Sequence, residues 1–403
     1  MFLSKIVLGL ALLLFIPAQS PAADADLKPG DVIGPHNWQR VQGMVGEDLL
    51  NRIRGGYTFK IKESRPRRDP KEYVAATKKY AGKVTLGSRG DLVNYVAGLP
   101  FPNISPSDPQ AGSKLAWNWQ KSWDGDDHKE GGGTASGKAV GYTIEKDGAE
   151  RRTEIAVHVL RPSGRVTLAP IPAFPGFEHV EMMSLRATEY PRDTSGSTTL
   201  SIRYHDPERE NDFLVYVPSI RRVHRAPPTQ RCVTLVPSEF IFDDIPTFAS
   251  PVTDYNYKFL GERQMLGNFS QPAGAYHRKP GDYLAIDTAW EVVNSYVLEI
   301  TPKDSRGCYP RKVIYLDTST SKPFWDQSFG TDGRLWKERW VFWAPVKLVD
   351  GQEVLTSTTS VIVNVQNGRS SIMISARAFN QGYQPSLFTL QTLQTVMRGG
   401  SLR

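Results

Sequence analysis

VLTSTTSVIVNVQ-NG-RSSIMISAR, residues 354–377, is the stretch that decides the fold. Val354 to Gln366 is rich in β-branched residues and carries no helix-period stripe, which reads as a long strand. Asn367-Gly368 follows, the pair that best tolerates the positive φ angles of a two-residue hairpin turn. Ser371 to Arg377 then reads as the returning strand. Working outward, Asp332-Gly333 marks a second hairpin between the segments around Phe329 and Leu335. Leu335–Trp343, Lys312–Asp317 and Trp290–Ile300 extend the pattern upstream. Phe213–Val217, Thr199–Tyr204 and Thr153–Leu160 continue it, the last with Ile155, Val157 and Val159 on one face. From about Ala139 to Arg377 the spacing predicts an antiparallel meander rather than βαβ units.

Outside this region the signals are helical. Asp69-Pro70-Lys71-Glu72 reads as a helix start, with Asp69 as N-cap, Pro70 in first position and Glu72 in third. Tyr73, Ala76, Thr77 and Tyr80 then share a face, and Gly82 ends the helix. Val45–Arg54 predicts another, with Leu49 and Ile53 on one side and Gly55-Gly56 as its stop. Pro100–Pro109 is turn-rich and reads as extended loop. Ser386–Met397 predicts a C-terminal helix with Leu387, Leu390 and Val396 buried. Expected boundaries are therefore a helical and loop elaboration over 24–135, an antiparallel sheet over 136–384, and a helix and tail over 385–403. One large β-rich domain is the preferred reading, with a two-domain split near residue 135 as the runner-up.

The 403 residues carry 49 Lys and Arg against 42 Asp and Glu, a balance of +7, and are 39% apolar. Mean hydropathy is −0.39 and the pI about 9.2. This composition excludes disordered, collagen-like and coiled-coil chains, and the single long apolar run excludes a polytopic membrane protein. That run, Ile6–Ile16 behind Lys5, is too short to span a bilayer, and Pro17 and small residues at Ser20, Ala22 and Ala23 follow it. It reads as a secretory signal peptide, residues 1–23, cleaved between Ala22 and Asp26. Export places Cys232 and Cys308 in an oxidising compartment, where the pair is expected to form a disulfide or, failing that, to stay as two buried thiols.

Several motifs lead nowhere. Gly132 to Ala139 has the spacing of a phosphate-binding loop, but Ala139 replaces the Ser or Thr that would hold Mg²⁺, and acidic residues precede it. Asp124–His128 suggests calcium, yet Lys129 and Ala135 occupy the positions where an EF-hand needs Gly and Glu, so a solvated acidic turn is expected. The seven histidines show no metal-ligand spacing, although Glu178-His179-x-Glu181 could share a strand face. Asp193-Thr194-Ser195-Gly196 and Asp317-Thr318-Ser319 only approximate aspartic-protease loops, and no Gly-x-Ser-x-Gly elbow occurs. No catalytic residue, metal site or cofactor is expected. Two features remain. Arg221, Arg222 and Arg225 form a basic run after a strand, suited either to a solvated edge or to anionic headgroups or a partner protein. Trp336, Trp340 and Phe342 share one strand face with Glu338, Trp343 lies opposite, and with Trp290 they supply an aromatic surface that is either ordinary core or the lining of an apolar cavity.

NYVAGLPFPNISPSDPQAGSKLAWNW (94–119), FLVYVPSIRRVHR (213–225), DDIPTFASPVTDYNYKFLGERQML (243–266) and YPRKVIYLDTSTSKPFWDQSFGTDGRLWKERW (309–340) occur in this order. They resemble a bacterial family of unknown function often called outer membrane lipoprotein-sorting protein. The second and fourth blocks also resemble the wider LolA/LolB-like superfamily of lipid and lipoprotein carriers. The resemblance implies a mainly β fold with helices (α+β), a curved antiparallel sheet forming an incomplete barrel with helices at its mouth. It implies a periplasmic carrier or chaperone for a lipid, a lipoprotein acyl chain or another hydrophobic compound. An inner-membrane exporter and an outer-membrane protein would be its partners, with peripheral membrane contact and no nucleic acid. On that reading Trp290, Trp336, Trp340 and Phe342 line the cargo site, and Arg221, Arg222 and Arg225 touch a membrane or partner. The alternatives are a scaffold protein of the outer envelope with a filled core, and a lipid or glycan hydrolase.

Overall fold

A computed structural model describes residues 27–234, 237–245 and 250–397. The expected signal peptide lies outside the described residues, as does the side chain of Val396. Near the N-terminus, β1 (Val32–Ile33) and β2 (Phe59–Ile61) flank helix α1 (Glu47–Arg54). Helix α2 (Lys71–Tyr80), a small hairpin of β3 (Thr85–Leu86) and β4 (Leu92–Val93), and helix α3 (Ala111–Lys121) follow. Next come β5 (Asp127–Gly132), β6 (Ala139–Ile144) and β7 (Glu150–Leu160). Then β8 (Val180–Tyr190), β9 (Thr198–Tyr204), β10 (Asp212–Val217) and β11 (Arg222–Arg225) run in succession. A long connection leads to β12 (Tyr255–Gly267), β13 (Ala289–Pro302), β14 (Arg311–Asp317) and β15 (Pro323–Phe329). The last are β16 (Leu335–Lys347), β17 (Glu353–Asn364), β18 (Ser370–Ile374), β19 (Ala376–Phe379) and helix α4 (Leu390–Met397).

All strands except β3 and β4 join one sheet. Its pairings are antiparallel apart from β13 with β2. The meander β12 to β18 and the meander β7 to β11 are each ordinary hairpin successions. They are joined through two broken strands: β6 and β5 pair in turn with β7, and β18 and β19 pair with β6 and β5. Near the end of β5, at the register shift against β19, Gly131 has φ +118° and a Cβ there would sit 2.3 Å from the Gly137 carbonyl oxygen. Gly133 and Gly137 of the would-be phosphate loop, at φ +75° and +65°, turn the chain between β5 and β6. Register shifts in β7, β8, β12 and β16 add twist and curl the sheet. It does not close into a barrel: among the described residues β11 pairs only with β10 and β12 only with β13.

Both expected hairpin turns form, with Gly333 and Gly368 at φ +76° and +77°. Helix α1 buries Leu49, Leu50 and Ile53 and stops at Gly55. Three local expectations fail. Pro70, not Asp69, is the N-cap of α2, and the Asp69 side chain makes no cap bond. The C-terminal segment buries Phe388 and Leu393, while Leu390 is exposed. The acidic turn at 124–128 is not solvated. Asp126 accepts the backbone N–H groups of Val166, Thr167 and Leu168, and Asp127 those of Gln381 and Tyr383. Carboxylates in such settings replace water with several fixed donors, which is why burial is tolerated. Helix α3 is not among the helices expected from the sequence. Its Leu115, Ala116 and Trp119 pack on Leu298, Ile300, Ile314 and Leu316.

Candidate functional site

The two faces of β16 show how the sheet divides its work. Trp340 and Phe342 point to one side, where they meet Trp290 and Trp325 with ring centroids 5.2–6.2 Å apart. Helix α1 covers this side. Glu338 accepts N–H bonds of 2.9 Å from Glu47 and Asp48, satisfying the first turn of α1 with a negative charge where the helix end is positive. Gly46 is required there, because a Cβ would lie 2.5 Å from the Glu338 carboxylate. Trp290, Trp340 and Phe342 are 1–2% exposed and form the filled core. Trp336 is half-buried against Tyr309, ring to ring at 5.7 Å. None of the four expected cargo-lining residues is on the wall of the cavity described next.

That cavity, about 560 Å³, lies on the opposite, concave face. Its floor is the face of β7 that carries Ile155, Val157 and Val159, extended by Ala139, Met182 and Met373. Val341 and Trp343 close one side, and the end of α3 at Trp119 and Gln120 closes another. Its roof is a strap. β11 and β12 are opposite edges of the sheet, and the described parts of the connection between them, 226–234, 237–245 and 250–254, contribute Gln230, Val233 and Thr234 to the cavity wall on the concave side. Phe240, Phe242, Asp244 and Ile245 of this strap face into the cavity.

The strap is fastened at two places. Cys232 is disulfide-bonded to Cys308 beyond β13, with Cα atoms 5.0 Å apart. Further on, Asp244 accepts bonds from Lys312 Nζ at 3.0 Å and Tyr309 Oη at 2.9 Å. Lys312 also lies 3.3 Å from Asp326, which accepts a bond from Arg339 Nε. Lys337 sits 3.4 Å from Glu239, and Asn364 donates to the same carboxylate at 3.2 Å. Lys312, Lys337 and Arg339 thus face Asp244, Asp326 and Glu239 in a buried cluster, with Arg369 3.6 Å from Glu239 at its rim. Burial alone would push the Asp244 carboxyl up, but Lys312 and then Arg339 hold it below its usual value.

A second group lies at the α3 end. Glu181 bonds Lys121 at 2.5 Å and Arg203 at 3.1 Å. Burial opposes its ionisation, yet Arg203 and Lys121 hold it well below the ordinary carboxylate range. Glu181 is therefore committed to an ion pair rather than to a surface cluster with His179. Asp193 is an exposed turn residue paired with Arg151, and Asp317 is buried against Arg67. Among the described residues no three His, Cys, Asp or Glu side chains gather in a way that could hold a metal. Arg221, Arg222 and Arg225 are exposed at the edge formed by β11; Arg225 pairs with Asp212, and no side-chain partner is found for Arg221 or Arg222 among the described residues. The cavity residues that the sequence reading missed had one visible signal, the Ile155-Val157-Val159 alternation. Nothing in the sequence said that this face, not the aromatic one, would stay unfilled.

Comparison with known proteins agrees with this architecture. A family model described as protein of unknown function (DUF1329) matches residues 32–394. A DUF1329 family protein from Desulfovibrio piger superposes with a TM-score of 0.51 at 20% identity, covering 71% of this chain and 98% of that one. A domain described as a candidate outer membrane lipoprotein-sorting protein from Vibrio parahaemolyticus gives 0.50 at 16% identity, covering 71% and 99%. A LolA superfamily protein from Nitrosomonas europaea gives 0.42 at 16% identity, covering 67% and 93%. No curated protein matches. Among the described residues no helix is long and apolar enough to cross a membrane.

Proposed function

The chain belongs to the DUF1329 family, and from that starting point we propose that it is a periplasmic carrier that shelters the apolar part of a lipid or other hydrophobic compound. The observation that supports this reading is the strapped cavity of about 560 Å³ with its floor of Ile155, Val157, Val159, Met182 and Met373. That volume is within the range of pockets that take one small ligand, roughly 300–1,000 Å³. An apolar molecule in transit through water loses about 0.8 kcal/mol for each exposed CH₂, so a chain of several methylenes needs a shelter of this kind. A sheet closed on itself and packed with side chains offers none, whereas a curled open sheet with a crossing strap does.

Loading and release then require the strap to move away from the concave face while both edges of the sheet stay in place. The exposed Arg221 and Arg222 lie next to the strap's first residues, where they can meet anionic headgroups or the exporter and outer-membrane proteins that would hand cargo on. The structural relative described as an outer membrane lipoprotein-sorting protein domain is consistent with such a route.

The test is twofold. Gently purified full-length protein is extracted and its lipids identified by mass spectrometry, with a stoichiometric hydrophobic compound expected. In parallel, a Val157→Trp variant fills the floor and should weaken binding of the neutral probe N-phenyl-1-naphthylamine by more than about tenfold. Protein that carries nothing, and that binds the probe equally well with or without the tryptophan, would rule the carrier reading out.

A further inference from the structure

The cavity floor is not uniformly apolar. Reading the strand registers across it gives one continuous row: Arg377 on β19 faces Glu130 on β5, which faces Val157 on β7, then Arg186 on β8 and Thr199 on β9. All five line the cavity. Neighbouring strands are about 4.8 Å apart, so the two arginines rise from backbone positions roughly 14 Å apart and can reach toward each other over Glu130 and Val157. Arg161 and Asp124 also line the cavity.

These groups are incompletely satisfied. Arg186 donates a 2.8 Å bond to Ser184 Oγ and has no carboxylate within ion-pair distance among the described residues. Arg377 is 6% exposed; its Nη1 lies 3.0 Å from Asp124, but its Nε has no hydrogen-bond partner. The Thr199 hydroxyl, directly opposite Arg186, is buried and likewise has none. No bond from the Arg161 guanidinium is found among the described residues. The other cations on the wall are engaged: Arg203 with Glu181 and Gln120, and Lys322 with the Trp123 carbonyl. Burial, opposed by Glu130 and reinforced by Arg377, lowers the Arg186 pKa, as expected for a guanidinium short of negative charge. Four carboxylates line the cavity, of which Asp193 and Asp244 are already paired with Arg151 and Lys312, and Lys322 is balanced by Asp69, so the three guanidinium groups Arg161, Arg186 and Arg377 are left with two carboxylates, Asp124 and Glu130.

A buried cation left over beside an unpartnered hydroxyl is costly in the empty site and becomes favourable when an anion completes it. We propose that the cargo is an amphiphile with a monoanionic oxyacid head, seated against Arg186, Arg377 and Thr199, its chain lying over Val157, Val159, Met182 and Met373. One surplus positive charge fits a carboxylate or a phosphodiester better than a dianion. The proposal rests on the carrier reading above and names the class of cargo within it.

Competition against N-phenyl-1-naphthylamine tests it on the full-length protein. Oleate is compared with oleyl alcohol, and lysophosphatidylglycerol with lysophosphatidylcholine, so the two arms separate a fatty acid from an anionic phospholipid. The acidic member of at least one pair should displace the probe at about tenfold lower concentration than its uncharged or zwitterionic counterpart, consistent with a charge-assisted bond in a dry site. In Arg186→Gln that ratio should fall below about threefold, and in Arg186→Lys it should partly recover. Arg186 is half-buried rather than fully enclosed, so the glutamine variant is expected to fold. Equal displacement within both pairs, or a preference unchanged in Arg186→Gln, overturns the proposal while leaving the carrier reading intact. Absence of any probe or lipid binding removes both.

Discussion

Asp244→Asn is the sharpest probe of how the strap is held. The substitution keeps the shape of the side chain and removes one negative charge from a cluster of Lys312, Lys337 and Arg339 against Asp244, Asp326 and Glu239. Lys312 and Arg339 are 2% and 1% exposed, so water cannot take over the lost pairing. At the 3.0 Å separation of Lys312 and Asp244, an effective dielectric of about 20 gives a gross attraction of about 5 kcal/mol. Breaking one member of a buried pair typically costs about 3–5 kcal/mol, because the other charge remains buried without a partner. Asp326 still faces both Lys312 and Arg339, which places the expected loss near the lower end, about 3 kcal/mol. With an m-value of about 3 kcal/mol/M, the urea midpoint falls by about 1 M. Hydrogen exchange should show the loss concentrated in the strap, with amides of residues 237–245 opening more readily than those of β13 to β17. Asp243→Asn supplies the contrast. Burial raises the Asp243 carboxyl, with a hydrogen bond from Ser250 opposing, so this neighbour gains little from its charge and its loss should cost under about 1 kcal/mol. Equal costs for the two asparagines, or a loss at Asp244 with no change in strap exchange, would refute the reasoning.

Three further outcomes are expected. Replacing Cys232 and Cys308 by serine opens a link across 76 residues, which the chain-entropy argument values at about 4 kcal/mol; thermal unfolding of the variant measures it, and a change under about 1 kcal/mol would deny the strap its first anchor. Burial and the nearby Arg377 lower His128 from 6.5 to about 3, with Asp124 opposing. Its neutral form is favoured on folding, so stability present above pH 6.5 is lost as pH falls toward 3, by about 2–3 kcal/mol at pH 4.5. His128→Gln should remove that share of the acid loss, and urea midpoints at pH 7 and pH 4.5 that differ as much as in the unaltered protein would contradict it. Arg221→Gln with Arg222→Gln should weaken partitioning onto phosphatidylglycerol vesicles, read by sedimentation, by roughly thirtyfold at low salt, each cation near an anionic surface being worth about 1 kcal/mol; unchanged sedimentation would remove these arginines from any membrane contact.

The reading of β16 shows where sequence information ends. The alternation of Glu338, Trp340 and Phe342 correctly assigns these residues to one strand face, because a side-chain period of two is a local property, whereas Trp336 falls at a register shift between β15 and β16 and packs on Tyr309 and Lys337 instead. Which face stays empty is not local. It depends on α1 arriving from more than 280 residues away to cover the aromatics, with Glu47 and Asp48 donating to Glu338. The basic character of Lys312, Lys337 and Arg339 carries no mark of burial either, since their partners Asp244 and Glu239 belong to a distant connection.

By itself, then, the sequence determined strands β7, β9, β10, β13, β14, β16, β17 and β18, though not β8 or β12, with both Gly-containing hairpin turns, helices α1 and α2, and the antiparallel class, all of which follow from local periodicity and backbone freedom. It also named Cys232 and Cys308 as a pair, because a chain with two cysteines offers no other intramolecular match. Tertiary structure alone decided that Trp290, Trp340 and Phe342 are core, that Arg377, Glu130, Val157, Arg186 and Thr199 form one row, and that Phe240, Phe242, Asp244 and Ile245 roof a cavity. The physical reason is that a cavity is bounded by register and by edge-to-edge connection. Both are set by contacts between residues far apart in the chain, which no local pattern encodes.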